Sequence, residues 1–262
     1  MKKWIIFILL ACVPVLLFAG GKGENYGVGF PIKGNGNMVT SEIPVTRFES
    51  IHIEGRAVIN YYYSQEYRAV ITIDSNLEEY VNIYTQDGVL NIKTKRRRNL
   101  WSTNYTVNVY APTLTGLSVA GSTRFDAMDK ITSREFRLNV TGHAKVKGTF
   151  ETKTFSARIS GFAEIDGHVE CDNFKSSISG FGNMELTGNA AEMDINISGS
   201  GNLELNEFKT NNADINISGS GTVHVWVVDK LKARVSGSGR VHHRGNPAVD
   251  FSGSGSARII AE

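Results

Sequence analysis

Cysteine is almost absent from this 262-residue chain, which holds only Cys12 and Cys171. Cys12 lies in the apolar N-terminal segment, and once that segment is removed only Cys171 remains. A chain with one thiol cannot form an intrachain disulfide, so the fold must be held by its apolar core. We expect Cys171 to be a buried thiol without a chemical role.

An excess of charge is also lacking. The 28 Lys and Arg residues are matched by 26 Asp and Glu residues, for a formal net charge of +2. Lys2 and Lys3 account for that difference, so the remaining chain has 26 residues of each sign. We expect no nucleic-acid partner, because an exported and otherwise neutral chain lacks the basic surface that nucleic-acid binding requires.

One long apolar run is present, at the N-terminus. Met1-Lys2-Lys3 precedes the apolar residues 4–18 and the small residues Ala19-Gly20-Gly21, an order typical of a secretory signal. We predict a signal peptide over residues 1–21, since the run is short for a membrane span. Lipidation at Cys12, in Leu9-Leu10-Ala11-Cys12, is an alternative and the only route by which we expect membrane attachment. A retained anchor is the third alternative.

The chain after the leader divides by composition. Residues 22–42 are rich in Gly and Asn without periodicity, so we predict a flexible linker. One folded domain is expected over 43–262. Its first part, 43–115, has longer strands of irregular spacing, and one helical turn is expected at 77–80. Such strands suit the N-terminal cap of a repeat array over 116–262.

Glycine is abundant, with 27 residues, and from Leu117 onward it recurs in phrases such as Ile-Ser-Gly-Ser. The spacings between successive glycines of these phrases are 21, 19, 19, 19, 20, 18 and 16 residues. A period near 19 predicts a solenoid. The repeated glycines are Gly121, Gly142, Gly161, Gly180, Gly199, Gly219, Gly237 and Gly253.

Each repeat alternates apolar and polar residues around its glycine, as a half-buried strand does. We predict two short strands per repeat, joined at a Gly-x-Gly corner where glycine permits a positive φ or a close backbone approach. The alternation predicts inward and outward sets. The inward set includes Ile197, Ile217, Leu203 and Val223, and the outward set includes Asn196, Asn216, Ser198 and Ser218.

The repeat length selects the fold class. About 19 residues are too few for a strand, a crossover helix and a parallel strand, which need roughly 30. They suit one coil of a parallel β-helix, in which equivalent residues stack about 4.8 Å apart. We therefore predict an all-β protein: a parallel β-helix (β-solenoid) with about 19 residues per coil, preceded by longer irregular strands that begin the solenoid.

Specific segments resemble a known family. They are Phe48 to Gly55, Val70 to Asp74, Asp87 to Lys93, Val107 to Leu114 and Leu117 to Ser122, followed by the Ser-Gly-Ser-Gly repeats. Over about residues 45–260 the chain resembles the bacterial family "putative auto-transporter adhesin, head GIN domain". The resemblance implies an exported parallel β-helical domain, in the periplasm or at the cell surface or outer membrane of a bacterium. It carries no catalytic residues.

Two features are candidates for binding. Phe162 and Phe181 directly follow their repeat glycines, one coil after His143, so they could stack as a patch for a sugar or a protein partner; a ladder that only shields backbone is the alternative. Arg96, Arg97 and Arg98 precede Trp101 in a basic loop that could bind an acidic polymer of the envelope; a solvated loop is the alternative.

Two columns of the predicted solenoid carry titratable side chains that are candidates for catalysis or metal binding. Five residues after the glycines the column reads Asp126, Lys147, Asp166, Glu185, Glu204, His224, His242 and Arg258. We predict no metal site, because ligands in a straight row, such as Glu204, His224 and His242, converge poorly. Five residues before the glycines it reads Arg137, Ser156, Lys175, Asp194, Asp214 and Lys232, a mixture that relieves like-charge repulsion. A cation between Asp194 and Asp214 is the alternative.

Two functions are compatible with these features. The first is an exported, non-enzymatic binding or adhesion module of the cell envelope or surface, with flat polar faces, no cofactor, and a glycan or envelope protein as partner. The second is a carbohydrate-active enzyme, a polysaccharide lyase or hydrolase on a β-helix scaffold. We favour the first, because an enzyme needs clustered carboxylates with a basic group and fold analogy alone does not make one.

The last repeat predicts a further partner. It is short, and the apolar residues Val249, Phe251 and Ile259 are expected at an unpaired solenoid end. We therefore expect self-association, or contact with an envelope component, through the C-terminal coil.

Overall fold

The computed structural model describes residues 31–95 and 99–262, which form a β-solenoid of about eight turns with about 19 residues per turn. The predicted fold class is confirmed. The predicted signal peptide, including Cys12, lies outside the described residues. Among the residues that are described, no helix is long and apolar enough to cross a membrane.

The N-terminal part, residues 31–111, contains short and medium strands. One 3₁₀ turn, Glu78–Tyr80, lies where a helical turn was predicted. The strands are β1 (Ile32–Lys33), β2 (Met38–Ile43), β3 (Ser50–Glu54), β4 (Arg56–Tyr63), β5 (Arg68–Asp74), β6 (Val81–Gln86), β7 (Val89–Thr94), β8 (Leu100–Trp101) and β9 (Thr106–Ala111).

The regular part begins at Gly116. Its strands pair in parallel with the next coil and keep a near-constant offset. They are β10 (Gly116–Val119), β11 (Ser122–Ala127), β12 (Ile131–Val140), β13 (His143–Ile159), β14 (Phe162–Ile178), β15 (Phe181–Ile197), β16 (Ser200–Gly219), β17 (Thr222–Gly237), β18 (Arg240–Arg244), β19 (Ala248–Gly255) and β20 (Arg258–Ala261).

The first coil lies inside the stack. Its strands β3 and β4 pair on one side with β10 and β11 and on the other with β7 and β9, all in parallel. The chain thus leaves the first coil, covers one of its sides, and returns to the opposite side at residue 115, where the Thr115 N–H donates to the Glu49 carbonyl at 2.7 Å. Antiparallel pairs β2–β5, β5–β9 and β6–β7 complete the N-terminal part.

The stretch predicted as a linker is structured from residue 31. β2 pairs antiparallel with β5 over Met38 to Ile43, and β1 pairs in parallel with β8. These pairings were not predicted because the side chains of β2 are alternately exposed and half-buried, so the strand has no buried apolar face. In addition, residues 34–37 are Gly and Asn, which are typical of turns. The order of residues 31–42 comes from backbone pairing to distant strands rather than from local apolar periodicity.

The predicted inward and outward sets are confirmed. Ile197, Ile217, Leu203 and Val223 are at most 2% exposed. Asn196, Ser198 and Ser218 are exposed and Asn216 is half-exposed. The apolar column six residues before the glycines is likewise buried: Phe136, Phe155, Phe174, Met193 and Leu231.

The prediction of two short strands per repeat was wrong for the central coils. β13, β14 and β15 each run as one strand of 17 residues from one glycine corner to the next. A chain that bends around a solenoid can keep pairing with the coil below it, because the coil below bends at the same residue.

The corner glycines are required by close backbone approach. A Cβ on Gly161 would lie 2.0 Å from the carbonyl oxygen of Gly142, and one on Gly142 would lie 2.1 Å from that of Gly121. The column continues to Gly55, whose carbonyl oxygen would lie 1.8 Å from a Cβ on Gly121. Each coil therefore rests its corner on the backbone of the coil below.

The alignment of the last repeat was wrong by two residues. Gly255, not Gly253, pairs with the corner glycine Gly237, while Gly253 pairs with the inward Val235. The Phe-Ser-Gly-Ser phrase at residue 251 matches the earlier phrases in composition but not in register. As a result, Ile260 and not Arg258 follows His242 in its column.

Apolar packing fills the interior along its length. Phe136, Phe155 and Phe174 stack on successive coils with ring centroids 5.7 Å apart at each step. Cys171, expected to be buried, is only partly so and packs against this core.

Candidate binding site

An aromatic column lies on the outside of the solenoid directly after the glycine corners. His143, Phe162 and Phe181 are register partners on successive coils. The His143 and Phe162 ring centroids are 4.6 Å apart, and those of Phe162 and Phe181 are 5.0 Å apart with planes within 6°. Both phenylalanines of the predicted patch therefore stack, and Phe181 remains 41% exposed.

The strand period explains why these rings face outward. The next residue in each strand, Ala163 or Gly182, points into the core, where only a small residue fits beneath the corner: a Cβ on Gly182 would lie 2.8 Å from Ile178 Cδ1. An aromatic side chain at this position can only lie on the surface. Because Phe162 and Phe181 are register partners, their two side chains form one continuous aromatic surface.

A surface depression joins this column to Trp101. Trp101 is 58% exposed at the end of β8 and lines the depression together with His143. Its strand is tied to the N-terminal segment, because the Gly34 N–H donates to the Trp101 carbonyl at 2.8 Å. The other side chains that give the depression its character are Arg56, Tyr105, Arg124 and Lys145.

Arg56 is the cation of this depression without a carboxylate partner among the described residues. Arg124 pairs with Asp126 at 2.7 Å, and a hydrogen bond with that carboxylate raises the pKa of Arg124. Lys145 pairs with Glu164 at 2.8 Å and lowers the pKa of that carboxyl. Arg56 begins the column that continues through Ser122 to His143.

The predicted loop Arg96, Arg97 and Arg98 lies outside the described residues, so its relation to Trp101 stays a prediction. The structure brings Phe162, Phe181 and His143 together and places Trp101 beside the same surface. We call these four residues with Arg56 the ladder face.

The mixed-charge column is confirmed as a column, with Arg137, Ser156, Lys175, Asp194, Asp214 and Lys232 as successive partners. The carboxylates of Asp194 and Asp214 each accept a hydrogen bond from the asparagine two residues later, at 2.6 and 2.9 Å. Arg234 also donates to Asp214, at 3.3 Å. Each carboxylate thus has a hydrogen-bond donor on Oδ1, and Asp214 also has a cationic partner in Arg234.

The ladder face offers chemistry suited to recognition. Glu164 and Asp166, two and four residues after Phe162, are held in ion pairs with Lys145 and Lys147 at 2.8 and 2.5 Å. General acid–base catalysis uses histidine as well as carboxyl groups, and His143 is the member of the ladder face with that chemistry. The stacked rings beside an arginine provide apolar contact area and one hydrogen-bonding cation.

Sequence reasoning missed a second cluster, formed by His224, His242 and Glu262. The histidines were correctly placed in one column, but the carboxylate that reaches them is Glu262 and not Glu204. Glu204 accepts a hydrogen bond from Asn202 at 3.1 Å. Alignment of the last repeat on Gly255 places Ile260 in the column of the two histidines. Glu262 is two residues further along the chain and therefore on the same face of the strand.

Comparison with known proteins gives a family and a set of similar structures. The model of the family "Putative auto-transporter adhesin, head GIN domain" matches residues 47–247. No protein with a curated description matches the chain.

Crystal structures of a putative adhesin from Parabacteroides distasonis ATCC 8503 and of one from Parabacteroides merdae ATCC 43184 are each 27% identical to it. They cover 88% of this chain and 99% and 98% of their own, with TM-scores of 0.81 and 0.79.

A third structure, described as a putative lipid binding protein from Parabacteroides distasonis ATCC 8503, is 24% identical. It covers 88% of this chain and 99% of its own, with a TM-score of 0.82, and shows the shared fold alone. The family match spans most of the chain and includes the first coil and the regular coils. This chain therefore belongs to the putative auto-transporter adhesin, head GIN domain family.

Proposed function

We propose that the protein is an exported, non-enzymatic binding or adhesion module of the cell envelope or surface, and that the ladder face is its binding site. The observation that carries the proposal is the outward-facing stack of the half-buried Phe162 on the exposed Phe181, with centroids 5.0 Å apart. Exposed aromatic rings are costly to leave in water, and their alignment over two coils creates a flat apolar strip. Similar structures described as adhesins support a surface binding role.

The ligand class follows from the chemistry of the face. The outward edges of the stacked rings form an apolar strip that suits the C–H-bearing face of sugar rings, and successive sugars of a chain could follow the column from Phe181 toward His143. Arg56, which no described carboxylate pairs with, provides a site for an acidic substituent, and Trp101 closes the far side of the depression. The proposed ligand is therefore an acidic glycan of the envelope or of a neighbouring cell.

The non-enzymatic part of the proposal rests on the carboxylates. A lyase or hydrolase of glycans needs a pair of acids, or an acid and a base, around one bond. Glu164 and Asp166 are engaged by lysines at 2.8 and 2.5 Å. Arg124 likewise holds Asp126 at 2.7 Å.

Export rests on the N-terminal sequence. Mass spectrometry of the protein from its native cells is expected to find a new N-terminus near Gly20 to Lys22, with Cys12 lost. An acylated N-terminal Cys12 would instead attach the module to a membrane, and an intact Met1 would refute export by either route.

A glycan array tests the binding proposal. The chain without residues 1–21 is expected to bind a subset of acidic glycans, and Phe162→Ala/Phe181→Ala is expected to lower binding by at least about tenfold, because each ring contributes roughly 1 kcal/mol or more of contact. Arg56→Ala is expected to weaken the binding of acidic glycans more than the binding of neutral glycans.

The matched control is the other outer aromatic stack, Tyr62 on Tyr110, with centroids 5.2 Å apart. Tyr62 lies six residues along β4 from Arg56, about 20 Å away. Tyr62→Ala/Tyr110→Ala should leave glycan binding unchanged. Equal loss in both double variants would reject the ladder face as the site, and release of reducing sugar in a parallel assay would reject the non-enzymatic role.

A further inference from the structure

Two imidazoles and one carboxylate converge on the outer surface of the last coils. His224 and His242 are register partners whose rings stack with centroids 4.3 Å apart and planes within 16°. The Nδ1 atoms of both rings face the same oxygen, Glu262 Oε1, at 3.3 and 2.9 Å. One potential ligand atom from each of the three residues lies within 4.8 Å of the other two.

The backbone holds each member in place. His224 lies within β17 and His242 within β18, and the two strands pair in parallel. β20 pairs with β18, and directly beyond it the Glu262 N–H donates to the His243 carbonyl at 2.9 Å. The two histidine side chains are only 24% and 20% exposed, so their rings are partly enclosed. The two histidines thus sit on paired strands, and Glu262 is held beside them by its backbone hydrogen bond.

We propose that His224, His242 and Glu262 form a binding site for a divalent transition-metal ion, with Zn²⁺ as the reference ion. Zn²⁺ binds imidazole nitrogen at about 2.0–2.1 Å and carboxylate oxygen at about 2.0–2.2 Å in tetrahedral geometry. The edges of such a tetrahedron are about 3.3 Å long, from the same bond lengths. The two observed oxygen–nitrogen separations, 3.3 and 2.9 Å, lie near that value. Because the rings stack with planes within 16°, at least one imidazole turns about its Cβ–Cγ bond to direct its lone pair at the shared ion.

The donor set also selects the kind of ion. Two nitrogens and one oxygen suit Zn²⁺, Cu²⁺ or Ni²⁺, whereas Ca²⁺ and Mg²⁺ require oxygen ligands. Three protein ligands leave the fourth tetrahedral position for water or for a group of a partner molecule. Among neighbouring charges on this face, Glu204 pairs in register with His224 and favours a cation, while Arg240 and Arg258 occupy the next column and oppose it.

The site is specific to this arrangement of the last repeat. Glu262 lies outside the residues 47–247 that match the family model, so the family match does not imply it. Other histidine–glutamate pairs in the described chain, His52 with Glu54 at 3.0 Å and His168 with Glu170 at 2.9 Å, have a single imidazole each. They are matched controls in which one carboxylate meets one ring.

Isothermal titration of the untagged chain without residues 1–21 tests the proposal. One Zn²⁺ per chain is expected to bind, and Ca²⁺ is expected not to bind. His242→Ala and Glu262→Gln are each expected to lower Zn²⁺ affinity by at least about tenfold, since each removes one of three ligands. His52→Ala should bind Zn²⁺ as the wild type does.

Two results would overturn the site: no Zn²⁺ binding by the wild type, or equal affinity in wild type and His242→Ala. If His242→Ala fails to fold, His242→Gln replaces it, and a thermal melt of the wild type provides a second measurement. Zn²⁺ is expected to raise the melting temperature of the wild type and not that of Glu262→Gln. A shift of the same size in both would also reject the site. Glycan binding at the ladder face is measured separately, so its failure would leave this result unaffected.

Discussion

The N-terminal part and the regular coils reach the same solenoid shape by different means. In the regular coils each strand pairs in parallel with its neighbours at a near-constant offset. In the N-terminal part, parallel pairs are combined with antiparallel ones, and partners lie up to 68 residues apart, as Ile32 and Leu100 do. Repetition specifies the first kind of structure, and single long-range contacts specify the second.

Asp74 shows what a single contact does in the N-terminal part. Its fully buried carboxylate accepts hydrogen bonds from Ser102 Oγ at 2.6 Å, from the Gly36 N–H at 2.7 Å and from the Thr103 N–H at 2.8 Å. These bonds, led by that from Ser102, lower the pKa of Asp74 to about 2. One side chain thereby joins three chain segments, including the one that carries Trp101.

In the regular coils, the corner glycines let successive coils pack backbone against backbone. Substitution of one of them is expected to have the largest effect on stability. A Cβ on Gly199 would lie 2.2 Å from the Gly180 carbonyl oxygen, which is backbone and cannot move alone. Gly199→Ala is expected to lower the free energy of unfolding by at least about 3 kcal/mol. Urea unfolding followed by circular dichroism measures the change.

The control lies two residues away in the same corner. A Cβ on Gly201 would lie 3.2 Å from the side-chain ends of Ile197 and Leu203, which can shift, and 3.5 Å from the Gly182 carbonyl oxygen, an ordinary contact. Gly201→Ala is expected to cost about 1 kcal/mol or less. Equal destabilisation by the two variants would show that the corner does not depend on backbone approach.

The second effect is confined to the N-terminal part. Asp74→Ala leaves the N–H groups of Gly36 and Thr103 without the acceptor of their part-buried hydrogen bonds, so amide hydrogen exchange of β2 and β5 is expected to accelerate while β13 to β16 keep their protection. The melting temperature is expected to fall by about 5 °C or more. Uniform loss of protection would contradict the division into two parts.

Asp74 also predicts a pH dependence. Its folded-state pKa of about 2 lies below the ordinary value of about 3.9. The stability it contributes is therefore fully present above about pH 4 and is lost as the pH falls toward 2. In Asp74→Asn, the loss of amide protection in β2 and β5 between pH 5 and pH 3 should be smaller than in the wild type. Hydrogen exchange at the two pH values measures it.

The third effect concerns the end of the regular part. Among the described residues β19 and β20 pair on one side only, with β17 and β18. Val249 is 45% exposed there and Ile260 37%, whereas Phe251 and Ile259, also expected at this end, pack against the core. We propose self-association through this edge.

Light scattering over a concentration series measures that association. The wild type is expected to gain mass with concentration, and Val249→Lys/Ile260→Lys is expected to remain monomeric. Met128→Lys, at a 57% exposed apolar residue elsewhere, should behave as the wild type does. A wild type that stays monomeric at high concentration would reject the proposal.

The smallest effect uses Cys171 as a reporter of coil opening. Burial raises the pKa of its thiol to about 12, so little thiolate forms at neutral pH. Reaction with a disulfide reagent at pH 8 is expected to be slow in the folded protein and fast in urea. Asp74→Ala should leave the rate in buffer unchanged, whereas Gly199→Ala should raise it, because only the latter loosens the coils around β14.

The ladder face marks the boundary of what sequence reasoning could predict. Phe162 and Phe181 were expected to stack because each follows a repeat glycine, and a repeat carries its register with it. The position of Trp101 beside them could not be predicted, since it depends on pairing of β8 with β1 and on the hydrogen bond between Gly34 and Trp101. That segment has no periodicity of its own.

The amino-acid sequence by itself determined the solenoid, its coil length, its inward and outward faces and the aromatic column, because these arise from local alternation and glycine spacing repeated many times. Tertiary structure alone decided three things. They are the place of the first coil inside the stack, the burial of Asp74 among three segments, and the approach of Glu262 to His224 and His242. Each depends on one pairing between residues far apart in the chain, and a contact that occurs once leaves no period in the sequence.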